Sequence, residues 1–173
     1  MLRRFWWPLQ AVLAALLISA CAGSHQRVPI ARTPGSPRRL SGAEREHVLD
    51  GDYKLYRRGA DIPTRLQLAF SSLQPFPMAE TEDDWQATDD IVLDGKVKWM
   101  RLFRLAGCSP SRCFIHYTTG GIGVNYSVVV FDLKSGEYVF SWGAKLEDAV
   151  TDLSALRSLI AAGKYSDDAE YTW

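Results

Sequence analysis

Apolar positions along the chain change their spacing several times, and each change predicts a different kind of segment. Residues 11–20 are an almost unbroken apolar run, Ala-Val-Leu-Ala-Ala-Leu-Leu-Ile-Ser-Ala. Residues 22–45 hold Pro29, Pro34 and Pro37 among small polar and basic residues, with almost no apolar pattern. A segment of that kind has too little to bury for a core of its own. Periodicity begins again near Glu46.

Within the periodic part, Tyr53-Lys54-Leu55-Tyr56 is a short apolar patch, either a strand or an irregular lead-in. Over 61–73, Leu66, Ala69, Phe70 and Leu73 recur at helical spacing. Asp61 before Pro63 suits the start of that helix, and Pro75 and Pro77 stop it. Residues 78–95 are acidic and polar around Trp85, which predicts a long loop. From Lys96 the period becomes that of strands, predicted at 97–106, 113–118, 126–131 and 138–142. Short connections join them: the cysteine loop, Gly120-Gly121-Ile122-Gly123, and Lys134-Ser135-Gly136. Such links favour an antiparallel meander. A last helix shows Leu146, Val150, Leu153, Leu156, Leu159 and Ile160 on one face, with Gly163 as its stop.

The expected fold class is therefore α+β, an antiparallel sheet of about four strands packed against a C-terminal helix, with an additional N-terminal helix. One helix covers one face of a sheet, which predicts two layers. In strict alternation Trp99, Arg101 and Phe103 share one side of the first strand, and Tyr138, Phe140 and Trp142 one side of the fourth. Tyr117 and Tyr126 are candidates for the same side. The opposite set, including Met100, Leu102, Val129, Phe131 and Val139, is better shaped to receive the helix bearing Leu153 and Leu156. The aromatic side, with Trp99, Arg101, Phe103, Tyr138 and Trp142, is then the candidate binding surface, unless the N-terminal helix covers it.

The N-terminus reads as an address. Arg3 and Arg4 precede the apolar run, as in a secretory signal. The run is too short to cross a bilayer, which takes ~20 apolar residues. It ends in Leu17-Ile18-Ser19-Ala20-Cys21. That ending resembles the lipobox of bacterial lipoproteins, and the resemblance covers the first 21 residues. It implies cleavage before Cys21 and acylation of Cys21. Ala22, in place of the aspartate that tends to hold lipoproteins in the inner membrane, implies the periplasmic side of an outer membrane where the cell has one. Stable anchoring needs more than one acyl chain, each buried methylene contributing ~0.8 kcal/mol. The expected organisation is a signal peptide at 1–20, a lipidated flexible linker at 21–45, and a single periplasmic domain at 46–173.

Charge refines this picture. Residues 22–47 carry five arginines against two glutamates, whereas 48–173 carry thirteen basic and eighteen acidic residues. An acidic domain argues against nucleic acid as a partner. The basic stem suits a solvated spacer or the headgroups of anionic lipids beside the anchor. The membrane, through the lipid, is one expected partner, and an envelope protein or cell-wall component is the other.

Cys108 and Cys113 are the other two cysteines, in Cys108-Ser109-Pro110-Ser111-Arg112-Cys113. An oxidising compartment favours a disulfide between them, and a ring this short stabilises by only ~2 kcal/mol. The spacing is not C-x-x-C, and no second ligand pair follows for a metal.

Few residues suggest chemistry. His116 is a possible acid or base, but it lies mid-strand with no nucleophile motif, and a half-buried structural histidine is the simpler reading. Gly120–Gly123 join two strands instead of leading into a helix, so a phosphate loop is not indicated. Glu80, Glu82, Asp83, Asp84, Asp89, Asp90 and Asp94 crowd one loop without EF-hand spacing. Asn125-Tyr126-Ser127 is a formal glycosylation sequon that a bacterial address makes uninformative. Ala169-Glu170-Tyr171-Thr172-Trp173 resembles the last strand of an outer-membrane barrel, which needs more strands than are found. No cofactor, metal site or catalytic set is expected. The leading functional expectation is a non-enzymatic envelope binding module. The alternatives are a hydrolase using His116 with a carboxylate, and a periplasmic inhibitor or immunity protein presenting the Cys108–Cys113 loop.

Overall fold

A computed structural model of the chain describes residues 39–74, 76–87, 99–121 and 123–167. Cys21, the signal segment and the terminal residues 168–173 lie outside the described residues, as do Asp89, Asp90 and Asp94.

The strand-period half of the sequence forms an antiparallel meander with a short strand added at each end. The strands are β1 Lys54–Tyr56, β2 Arg101–Cys108, β3 Arg112–Thr119, β4 Asn125–Lys134, β5 Glu137–Leu146 and β6 Tyr165–Ser166. They lie in chain order in one six-stranded sheet. Two of these strands exceed the four expected. β1 has three residues and β6 two, too few for a period to show. The β4–β5 hairpin closes through Ser135 and Gly136, both at positive φ, as a two-residue turn requires.

Helices cover both faces, so the domain has three layers instead of two. α2, Thr64–Ser71, buries Leu66 and Phe70 against Phe103, Ala106, Cys113, Ile115, Tyr117, Val129 and Phe131. α3, Leu153–Ala161, buries Leu156 and Ile160 on the other face against Leu105, Phe114, Val128, Val130, Trp142, Ala144 and Leu146. Each fully buried side chain of this kind contributes roughly 2 kcal/mol. Asp152 caps α3 by accepting from the Ala155 amide at 2.8 Å. Gly163 and Lys164 amides return to the Ile160 and Leu159 carbonyls and end the helix. The helix is shorter than its apolar stripe. Leu146 belongs to β5 and Val150 to the connection, yet both still reach the α3-side core.

Packed chain begins earlier than residue 46. Leu40 is buried in the α3-side core, and α1, Gly42–His47, follows it. Ser41 accepts from the Glu44 amide and Glu44 reaches back to the Ser41 amide, a complete capping box.

Two bulges redistribute the sheet's faces. In β2 the register shifts between Phe103 and Leu105, so Phe103 points toward α2 and Leu105 toward α3. In β5 Phe140 pairs with Phe131 and Trp142 with Val130, leaving Ser141 as the extra residue. Tyr138 and Phe140 therefore face α2, while Trp142 faces α3. Val129 and Phe131, expected beneath the C-terminal helix, lie beneath α2, and Val128 and Val130 take their place.

Candidate functional site

The single aromatic surface expected from strict alternation does not assemble. Phe103, Tyr138 and Tyr117 pack under α2 as core. Trp142 is 1% exposed on the opposite face. Trp99 is 41% exposed and lies before β2, bridged to Trp85. There are two physical reasons: α2 covers the face that Phe103, Tyr117 and Tyr138 share, and the β5 bulge turns Trp142 to the other face.

His116 is fully buried on the α3 side of β3. Its Nδ1–H donates to the Ser127 carbonyl at 2.8 Å, and Nε2 has no partner of good geometry although the Val150 backbone is beside it. Burial lowers its pKa to about 4, with the Arg104 charge acting in the same direction and the backbone carbonyls opposing. The imidazole is thus neutral near pH 7. An open groove of about 520 Å3 runs over α3, lined by Ala149, Val150, Ala155, Leu159 and neighbours, and His116 is not in its wall.

Three of the acidic loop residues within the described chain are occupied structurally. Glu80 accepts from the Gly59 and Ala60 amides, each at 3.1 Å. Glu82 pairs with Arg104 at 2.6 Å, and Arg104 also donates to Thr118. Asp84 accepts from the Thr81 hydroxyl. Cys108 and Cys113 are directly opposite in the β2–β3 register, with Cα atoms 4.1 Å apart, and are bonded. Their loop is held by the Ser109 amide and hydroxyl on the Arg112 carbonyl and by the Leu133 amide on the Ser111 carbonyl.

Gly120 and Gly121 serve a backbone crossing. The Gly121 amide donates to the Ala87 carbonyl at 3.1 Å, and a Cβ on Gly120 would lie 2.1 Å from the Gln86 carbonyl oxygen. Asn125 starts β4 with its side chain bonded to the Gly123 carbonyl.

Polar side chains converge instead at the end of the α2-side face. Arg101 stands opposite Thr119 in register, Tyr117 opposite Ser127, and Ser127 opposite Lys145, so all share one face. Gln74, buried just beyond α2, accepts from Arg101 Nη2 at 2.5 Å. Phe70 of α2 meets the Tyr117 ring edge-on at 5.3 Å. Burial raises the Tyr117 pKa to about 12 against the pull of the Arg101 guanidinium, and burial lowers that of Arg101. Four buried polar atoms here lack a well-formed hydrogen bond among the described residues: Arg101 Nε, Tyr117 Oη, Thr119 Oγ1 and Ser127 Oγ. Of this group, the sequence marks Arg101 as a candidate binding residue and Tyr117 as a candidate for the same side; Thr119, Ser127 and Gln74 carry no signal for such a site until register and packing bring them together. Comparison with family models, curated proteins and solved structures gives no match for this chain.

Proposed function

We propose that this chain is a bacterial envelope lipoprotein. Cys21 anchors it by lipid to the periplasmic side of the outer membrane, and the domain from Leu40 onward is a non-enzymatic binding module for an envelope protein or cell-wall component. The observation that carries the address is Leu17-Ile18-Ser19-Ala20-Cys21, placed after a short apolar run that begins behind Arg3 and Arg4. Support for binding over hydrolysis comes from His116, whose ring is buried and neutral and is not in the wall of the groove over α3. The donor-rich end of the α2-side face supplies polar groups suited to recognition. Growth on a labelled fatty acid tests the anchor. Label in the wild type and none in Cys21→Ser is the expected result, and equal label in both sinks the proposal.

A further inference from the structure

We propose that the Arg101 end of the α2-side face is a binding site for a carboxylate, of the kind that ends a peptide. The inference rests on the binding-module reading and adds the chemical class of its ligand. The Nε–H and Nη2–H groups of a guanidinium lie on one edge and together match the two oxygens of a carboxylate. Arg101 uses this edge at half capacity. Nη2 donates to Gln74 Oε1 at 2.5 Å, and Nε, buried, has no acceptor among the described residues. An amide side chain offers one oxygen where a carboxylate offers two, so Gln74 occupies one of the two places such a ligand would fill.

The surroundings supply further donors of the same sign. The Thr119 hydroxyl is buried on the same face without a hydrogen bond among the described residues, and the Tyr117 and Ser127 hydroxyls, on residues each 1% exposed, lie within reach of one another without ideal geometry. Burial holds the Tyr117 phenol protonated, so it donates and carries no charge that would repel an anion. No carboxylate of the described residues bonds to Arg101. Arg101, Thr119, Asn125 and Lys145 are each part-exposed at this end of the sheet.

The test uses the folded chain lacking residues 1–20, with N-acetyl-alanyl-alanine as probe, its C-terminal amide as the neutral control and inorganic phosphate as a second anion. Calorimetry and amide NMR shifts report binding, and thermal melts report folding. The expected result is saturable binding of the free acid, at least tenfold tighter than the amide or phosphate, with shifts at Arg101, Tyr117 and Ser127. Arg101→Gln should weaken it at least tenfold. Because that variant also removes the Gln74 partner, Gln74→Glu is the second variant. It places a carboxylate on the same edge, and should raise the melting temperature while abolishing probe binding. Equal binding of acid and amide, preference for phosphate, no binding at millimolar probe, or a Gln74→Glu protein that binds as the wild type does would each overturn the carboxylate site. None of these outcomes bears on the lipid label at Cys21, so the two proposals fail separately.

Discussion

The Asp167 carboxylate accepts the indole N–H of Trp142 at 3.3 Å, and the same oxygen accepts the Leu40 amide at 2.9 Å. One buried oxygen thus ties both ends of the described chain to the middle of β5. Trp142 is 1% exposed, with Tyr165 edge-on to its ring at 5.4 Å, so water cannot take the place of the carboxylate. Removing it strands two buried donors, which costs about 2 kcal/mol. Asp167→Ala should lower unfolding stability in urea by that amount, and Asp167→Asn, which keeps one oxygen, by less. An alanine variant as stable as the wild type would show that the tie contributes nothing.

Two glycines three residues apart should respond oppositely to alanine. At Gly120 the new Cβ would sit 2.1 Å from the Gln86 carbonyl oxygen and 2.9 Å from that of Ala87. Backbone on both sides cannot yield cheaply, so Gly120→Ala should destabilise by about 3 kcal/mol. At Gly123 nothing lies within 4 Å of the new atom, and its φ is not positive. Gly123→Ala should stay within about 0.5 kcal/mol of the wild type. Thermal melts of the two variants decide the matter, and equal losses would mean the backbone crossing is not as described.

Which features the sequence betrays depends on the range of the physics behind them. The four long strands and the two main helices follow from local apolar period, and Gly136 and Gly163 from local backbone need. The capping box at Ser41 and Glu44 was equally local, four residues of S-x-x-E hidden in a segment whose composition reads as linker. Asp152 was local too. That cap sets the start of α3 at Leu153, although the apolar stripe continues back through Val150 and Leu146. The bulges in β2 and β5 are different. Nothing around Arg104 or Ser141 signals an extra residue, because a bulge answers to pairing with the neighbouring strand. That non-local fact decides which face holds Trp142 and which holds Leu105. The polar cluster beside Arg101 is hidden for the same reason: Gln74 and Arg101 are 27 residues apart in sequence and meet only through packing.

Cys108 and Cys113 should be fully oxidised in exported protein. They are opposed in register where the β2–β3 pairing ends, and Cys113 is buried in the α2-side core. Alkylation under denaturing conditions without reductant should add no mass at this pair. The ring is small, so reduction should lower stability by only about 2 kcal/mol and leave the fold intact. Two alkyl groups added without reductant would count against the bond.

His116 should make the fold acid-sensitive in a window set by its own titration. Its pKa falls from 6.5 to about 4 on folding, chiefly through burial. A histidine in the unfolded chain takes up its proton as pH drops through 6.5, while the folded ring stays neutral until about 4. The unfolded state therefore binds more protons across that interval, and folding stability is complete above the unfolded value and lost progressively below it. A shift of this size corresponds to at most about 3 kcal/mol between pH 7 and pH 4. His116→Asn keeps a nitrogen donor near Nδ1, for the Ser127 carbonyl, but cannot titrate. Carboxylates elsewhere titrate in both proteins, so the informative quantity is wild type minus variant, measured by urea unfolding at each pH. The variant should be the less stable at pH 7, and the difference should narrow steadily toward pH 4. Parallel profiles would mean that the imidazole reaches solvent in the folded protein, and would reopen an acid–base role for it.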